Sequence, residues 1–479
     1  MSLFLEDFDQ WCEAYGTASP QVQYEMVLEI IAEPIPLDYA IETDIASILI
    51  DIQTLLVGNG LLEQALTFTK TFQTQQPELY QKEFYYFDNF LVRYALFKQE
   101  PGQMNEVLAR YQQDPVNSIE QLLPMLDDLR FYDARAQAVT LSRAVYTPVA
   151  TASALIEGSE DDFSAVMIAD MLEQAYEKLR EGESVDWAEW GQAAAPFSFE
   201  NTAELRQEVA KTLSGEAVAG AELANLFPAE SDAFFRQLSL RFNLRMADRY
   251  RVSFVCSQAI WSAAVDFLGD RTLSKAQVKN LNRFFSFEYE ELDRYVGRLI
   301  GGFLSSAQSK GFATLWGLPY LYEFLRAESL IEDFVYDAAI TIVTQLQAVL
   351  LENWPGPLWR YSFIHRWGKP DHQTESEFAE EAQRFASTID NAEPLSTEPI
   401  EKPSWDDMLT NLAEDMAEKL SGNSEFALPE QTHSSATSTA NLKAPKAPKP
   451  KKSPLKEAKA LSKKAKSANP KKKKGRGFT

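Results

Sequence analysis

The stretch Ala46 to Pro77, ASILIDIQTLLVGNGLLEQALTFTKTFQTQQP, decides the fold class. Leu49, Ile52 and Leu56 recur three and four residues apart, which places them on one face of an α-helix. Gly60 follows at a turn, and Leu62 and Ala65 open a second apolar face. Small Gly60 and Ala65 let two helices approach closely. Pro77 has no backbone N–H to donate and ends the second helix. The same spacing recurs outward from this pair, in Phe84, Phe87, Leu91 and Tyr94, then in Ile168, Leu172, Tyr176 and Leu179. Strand-like alternation is scarce from Met1 to about Asn391, so the expected fold is all-α.

The apolar positions, the Gly60 turn, Ala65 and Pro77 resemble one tetratricopeptide repeat. Prolines recur at Pro115 and Pro148, 38 and 33 residues on, near the ~34-residue period of that family. The resemblance covers about Ala46 to Pro148. It implies a solenoid-like array of helix pairs with a protein-binding face. Two positions depart from it: Gln103 and Arg135 stand where the second and third units need a small residue. The alternative is a plain stack of antiparallel helices with proline-terminated ends.

These signals divide the chain. Residues 1–181 read as a helical-repeat-like domain and 182–202, rich in Gly, Ala and Pro, as a linker. Residues 203–391 read as a second helical domain, in which Gly301-Gly302 marks a close crossing or a kink. A Pro/Glu/Ser linker spans 392–403 and an amphipathic helix 404–420. Residues 421–479 lack the apolar content to order themselves and are expected to be disordered, basic from Lys443.

Charge is distributed unevenly. Lys443 to Thr479 holds fourteen Lys, one Arg and one Glu, a net +14. The whole chain carries −24, which leaves −38 on the other 442 residues. The tail resembles linker-histone tails in its Lys/Ala/Pro composition, and Ser453-Pro454-Leu455-Lys456 is similar to their SPxK elements. Lys-rich chains bind polyanions by counterion release, without reading sequence. Lys451, Lys452, Lys463, Lys464, Lys471, Lys472, Lys473 and Lys474 are the expected contacts, with nucleic acid or another polyanion as target. Competing roles are a ribosome-associated arm, a clamp on the acidic body, or a solubilising extension. Pro470 to Lys474 would also serve as a nuclear import signal in a eukaryote.

Catalytic signals are few. The three histidines, His365, His372 and His433, form no HExxH frame, and no cofactor or metal motif is found. Cys12 and Cys256 form no CxxC unit, which fits a reducing compartment. The acidic start lacks a signal peptide's basic n-region. The longest uncharged runs, about 14 residues as in Ala338–Leu351, fall short of a bilayer span. Expectation is of a cytoplasmic protein without membrane contact.

Two features suit partners. Arg241, Arg245 and Arg249, four apart on one helix face, fit an acidic or phosphate partner. Their alternative is a set of ion pairs within the acidic body. On 404–420, Trp405, Met408, Leu409, Leu412 and Met416 form an apolar stripe that docks on the body or on a partner. The expected function is a non-enzymatic interaction scaffold, its body binding protein and its tail a polyanion. The alternatives are a nucleic-acid-associated factor acting through the tail, and an enzyme whose site is not visible in sequence.

Overall fold

A computed structural model describes residues 3–399, apart from 157, 217–219, 302–306, 355 and 391. Among the described residues every regular element is helical and no strand is present. The chain opens with α1 (Leu3–Glu6), α2 (Phe8–Thr17), α3 (Pro20–Ala32) and α4 (Leu37–Glu42). Local chemistry sets these starts. Asp7 accepts the Gln10 N–H to cap α2, and Ser19 caps α3 ahead of Pro20 at its first position.

The stretch 46–77 forms α5 (Ile45–Gly58) and α6 (Leu62–Gln75), joined through Gly60 at a φ of 74°. That left-handed turn is one that glycine adopts without Cβ strain. Leu49, Leu56, Ala65 and Phe68 are fully buried between the two helices and their neighbours. The buried Gln53 amide donates to Thr69 Oγ1 at 2.8 Å, so the polar pair inside this seam is satisfied. Pro77 occupies the first turn of α7 (Pro77–Lys98), where a missing N–H costs nothing.

Next come α8 (Asn105–Gln113), α9 (Ile119–Phe131), α10 (Arg135–Ala150) and α11 (Asp161–Arg180). Pro148, expected as a stop, lies inside α10 two residues before its end, and Pro124 lies inside α9. Tertiary packing overrides the local penalty there, since Leu122, Met125, Leu126 and Val149 are buried around these prolines. Segment 182–202 carries α12 (Trp187–Ala194) and a 3-10 turn, Ala195–Phe197. Trp190 is buried there and donates Nε1–H to Met171 O at 3.2 Å.

The second half contains α13 (Ala203–Leu213), α14 (Gly220–Leu223), α15 (Ser231–Tyr250), α16 (Phe254–Asp270), α17 (Leu281–Phe285) and α18 (Tyr289–Ile300). It continues with α19 (Gln308–Ala327), α20 (Asp333–Asn353), a 3-10 segment at Leu358–Arg366 and α21 (Glu375–Asp390). Gly301 is the C-cap of α18, so the first glycine of the expected kink terminates a helix. Glu288 and Glu291, within an acidic run, form the capping box that starts α18.

Helix α19 sits innermost. Sixteen of its residues are buried, on every face, as expected of a helix enclosed by others. It packs against α16, α18, α20 and the 3-10 segment. A Cβ on Gly317 would lie 2.8 Å from Ile260 Cγ2, so glycine permits the close α16–α19 approach. Helix α20 is the one described helix long and apolar enough to cross a membrane by length and composition. Val335, Ala339, Val343, Leu346 and Leu350 bury one face of it inside the protein.

The aromatic run Trp354–Trp367 reaches back to the first half of the chain. Trp359 and Trp367 are fully buried. Trp367 Nε1–H donates to Phe131 O at 2.8 Å, and Arg366 Nη2 donates to Leu96 O at 2.6 Å. The Tyr132 hydroxyl sits 3.2 Å from Trp359 O and 3.1 Å from Arg360 O. Buried apolar residues from Phe4 to Leu395 form one connected core. The 404–420 helix with Trp405, Met408, Leu409, Leu412 and Met416, and the tail lysines 451, 452, 463, 464 and 471–474, lie outside the described residues.

Candidate functional site

A cleft of about 540 Å³ opens among α11, α13, α15, α16 and the strip Phe197–Phe199. The volume lies in the ~300–1,000 Å³ range of small-ligand and side-chain pockets. Its walls are mostly apolar. Ile168, Ala169 and Leu172 come from α11, Val209 from α13, Leu240 from α15 and Trp261 from α16. Helical spacing explains this: Ala165, Ile168, Ala169 and Leu172 share one face of α11. Phe197, Phe199 and Phe235 add aromatic surface. Ser198 between the first two has a φ of 61°, the left-handed region, which turns the strip back over α11. The strip is pinned from below, with Ser164 Oγ donating to Phe197 O at 2.6 Å and Tyr146 OH donating to Pro196 O at 2.7 Å.

Polar groups line the cleft from α11, α13, α15, α16 and the strip. Gln258 Oε1 accepts from Ser239 Oγ at 2.7 Å and from Asn243 Nδ2 at 3.1 Å. Asn243 is 2% exposed, and its Oδ1 has no hydrogen-bond partner among the described residues. A buried carbonyl-type acceptor without a donor costs about 1–3 kcal/mol. At the mouth, Arg236 makes a two-pronged pair with Glu208, its Nε at 3.1 Å and Nη2 at 3.2 Å. Asp161 is exposed beside it.

A second, charged cleft of about 340 Å³ lies where the α9–α10 turn, the start of α10, α11 and the α15–α16 turn meet. Arg135 reaches Asp170 at 2.8 Å, Glu173 at 3.0 Å and Glu177 at 3.1 Å. Burial pushes the Glu173 carboxyl up to about 7, against the pull of Arg135. Glu173 also accepts the Phe254 N–H at 2.9 Å, capping α16. Asp133 binds the Ser253 hydroxyl and N–H. Asp133 and Arg251 both adopt left-handed backbone, at 58° and 62°, as the residues that end α9 and α15. Each of Asp133, Glu173 and Glu177 already holds a donor, so this arrangement locks four helix ends together.

The arginine stripe on α15 is dispersed by its partners. Arg241 pairs with Glu328 at 2.9 Å, and Arg249 pairs with Asp371 and lies over the Tyr250 ring. Arg245 is half-buried, and its Nε has no hydrogen-bond partner among the described residues. His365 Nε2 is 3.0 Å from Glu381, and His372 Nδ1 is 3.5 Å from Glu323. Among the described residues no group of three or more His, Cys, Asp or Glu is placed to hold a metal ion.

Sequence reasoning did not find the apolar cleft. Its residues come from positions 161 to 261, and each reads as ordinary core or surface within its own helix. The one signal in sequence is the aromatic and alanine content of Trp187–Phe199, within the 182–202 segment whose Gly, Ala and Pro content suggests a linker. Comparison of the chain with protein-family models, with characterised proteins and with solved structures finds no match.

Proposed function

We propose that this chain is a non-enzymatic interaction protein. The apolar cleft on its helical body receives a side chain from a partner protein, and the Lys-rich tail contacts nucleic acid or another polyanion. The observation that carries the reading is the cleft: open to solvent, about 540 Å³, and walled by Phe199, Phe235, Leu240 and Trp261. Such desolvated aromatic pockets are where single anchor residues of protein interfaces bind. In this reading α5 to α10 form the solenoid-like array and the protein works in the cytoplasm. Support for the tail comes from its +14 charge against −38 elsewhere.

Site-specific photo-crosslinking tests the body. A benzoylphenylalanine at Gln237, on the cleft, should trap a discrete partner in cells, and one at Phe334, exposed on α20, should not. Equal labelling from both positions would remove the cleft from the reading. Duplex DNA binding against salt tests the tail. The full chain should lose affinity with log salt at about −0.9 per phosphate neutralised, and a chain ending at Leu442 should not bind.

A further inference from the structure

We infer that the cleft docks a basic, proline-rich segment of a partner protein, held as a polyproline II helix with its proline rings against the aromatic walls. This rests on the reading of the cleft as a binding surface and names the peptide that enters it.

The argument starts from donors that have no acceptor. Trp261 lines the cleft at 5% exposed, and its Nε1–H meets no acceptor among the described residues. The indole nitrogens of Trp316, Trp354 and Trp359 are sealed from solvent, and that of Trp261 is not. Gln258 gives its Oε1 to Ser239 and Asn243, which leaves its Nε2 hydrogens unspent. Exposed Ser198 and half-buried Gln237 add a hydroxyl and an amide. The complementary ligand therefore brings acceptors.

A peptide backbone has acceptors to give only where its carbonyls are not already bonded. An α-helix spends them internally, and an added strand needs a sheet edge, which the described residues do not contain. Polyproline II has no internal hydrogen bonds, so every carbonyl is free. At three residues per turn, prolines three apart share one edge of that helix. Phe197, Phe199, Phe235 and Trp261 supply the aromatic surface on which such rings pack.

Charge supplies the residues between the prolines. Asp161 is exposed at the mouth, and Glu208, paired with Arg236, keeps 24% of its side chain exposed. Outside its tail the chain carries −38. Lysine or arginine beside the prolines complements this surface, whereas a free carboxylate ligand would satisfy the same donors and be repelled. Residues 443–450 of this chain, KAPKAPKP, share the spacing, with Pro445 and Pro448 three apart. The function proposed above engages the tail with a polyanion, so the cleft is assigned to a partner, and the test separates the two.

The test uses the full chain and a fluorescently labelled peptide of the repeat Pro-Lys-Ala, read by anisotropy. In one control peptide serine replaces each proline, and in another glutamine replaces each lysine. Wild type should bind the Pro-Lys-Ala peptide about three- to tenfold more tightly than the proline-free one. Its margin over the lysine-free peptide should shrink as salt is added. Trp261→Phe, which keeps a ring and removes the donor, should weaken Pro-Lys-Ala binding about three- to tenfold, and an unchanged affinity would overturn the hydrogen-bond argument. Ala165→Phe, which fills the cleft, should abolish binding. Circular dichroism melting of each variant checks that it folds, and the peptide comparison on wild type needs no variant. Equal affinity for the proline-rich and proline-free peptides, lost in Ala165→Phe, would overturn the inference and leave the cleft as a binding surface. Equal affinity for the lysine-free peptide would overturn the basic character of the partner. Binding unchanged by Ala165→Phe would overturn both the inference and the reading of the cleft, and no binding of any peptide would overturn the inference. Tighter binding by a full chain carrying Pro445→Ala and Pro448→Ala, with its charge unchanged, would make the chain's own tail the occupant and overturn the partner assignment.

Discussion

Replacing Asp128 by alanine should be among the most damaging single changes in the body. Asp128 is 1% exposed, on α9. Its Oδ2 accepts from Arg93 Nε of α7 at 2.6 Å, and its Oδ1 accepts from Ser309 Oγ of α19 at 2.6 Å. One carboxylate thus joins three helices from distant parts of the chain. Arg360 lies in the same field, its pKa pushed down to about 10 by burial and by the Arg93 charge. Removing Asp128 would leave Arg93 without its counter-ion and Ser309 without its acceptor. Breaking a buried pair from one side costs about 3–5 kcal/mol, and the lost Ser309 bond about 1 kcal/mol more. Expected destabilisation is therefore about 4–6 kcal/mol, read as the shift in urea unfolding followed by far-UV circular dichroism. The mechanism makes a sharper claim about the pair. Arg93→Met in the Asp128→Ala background removes the stranded charge and should recover about 2 kcal/mol or more. A single variant within about 1 kcal/mol of wild type, or a double variant no more stable than the single one, would refute this reasoning.

Other perturbations test other parts of the structure. Because burial raises the Glu173 carboxyl from 4.5 to about 7, the fold favours its neutral form. Its stabilising contribution is full below about pH 4.5 and is lost as pH rises through 7. Urea midpoints of Glu173→Gln relative to wild type should accordingly rise from pH 4.5 to 8, and a flat difference would remove Glu173 from the account. Gly317→Ala should destabilise by about 1–2 kcal/mol through overlap with Ile260, and Ile260→Ala in the same chain should relieve the overlap, as calorimetric melting would register. Arg249→Ala, at a pair with side chains 45% and 43% exposed, should shift stability by no more than about 1 kcal/mol in thermal melts.

The helical class was legible because Leu49, Ile52 and Leu56 repeat at a helix's own period and bury together as the period requires. The starts of α2 and α3 rest on local chemistry, the Asp7 and Ser19 side chains each accepting a backbone N–H three residues on. Helix α19 was harder to read, since a segment buried on every side has no polar face to set a phase. Pro148 misled for a related reason: a proline penalty of a few kcal/mol is local, and the buried packing of Val145 and Val149 outweighs it. Arginine spacing on α15 told of one shared face, but the partners Glu328 and Asp371 come from elements that only the tertiary fold brings near. The cleft was the least legible of all. Ser239 and Asn243 of α15 both donate to Gln258 Oε1 on the next helix, and no property of their neighbours in sequence encodes that.

The return of Trp359 and Trp367 to the first half of the chain has a bearing on how the protein is made. The Tyr132 hydroxyl waits for a carbonyl 227 residues later, and Phe131 O for an indole 236 residues later. At about 5–20 residues per second, a ribosome needs roughly 10–50 s to deliver them. Through that interval Phe131 and Phe97 on the nascent chain stand without the rings of Phe363 and Trp359 that later cover them. Newly made helices α7 to α9 are thus natural clients for a chaperone until translation has passed residue 367, and a message broken before that codon would yield a product with this aromatic seam left open.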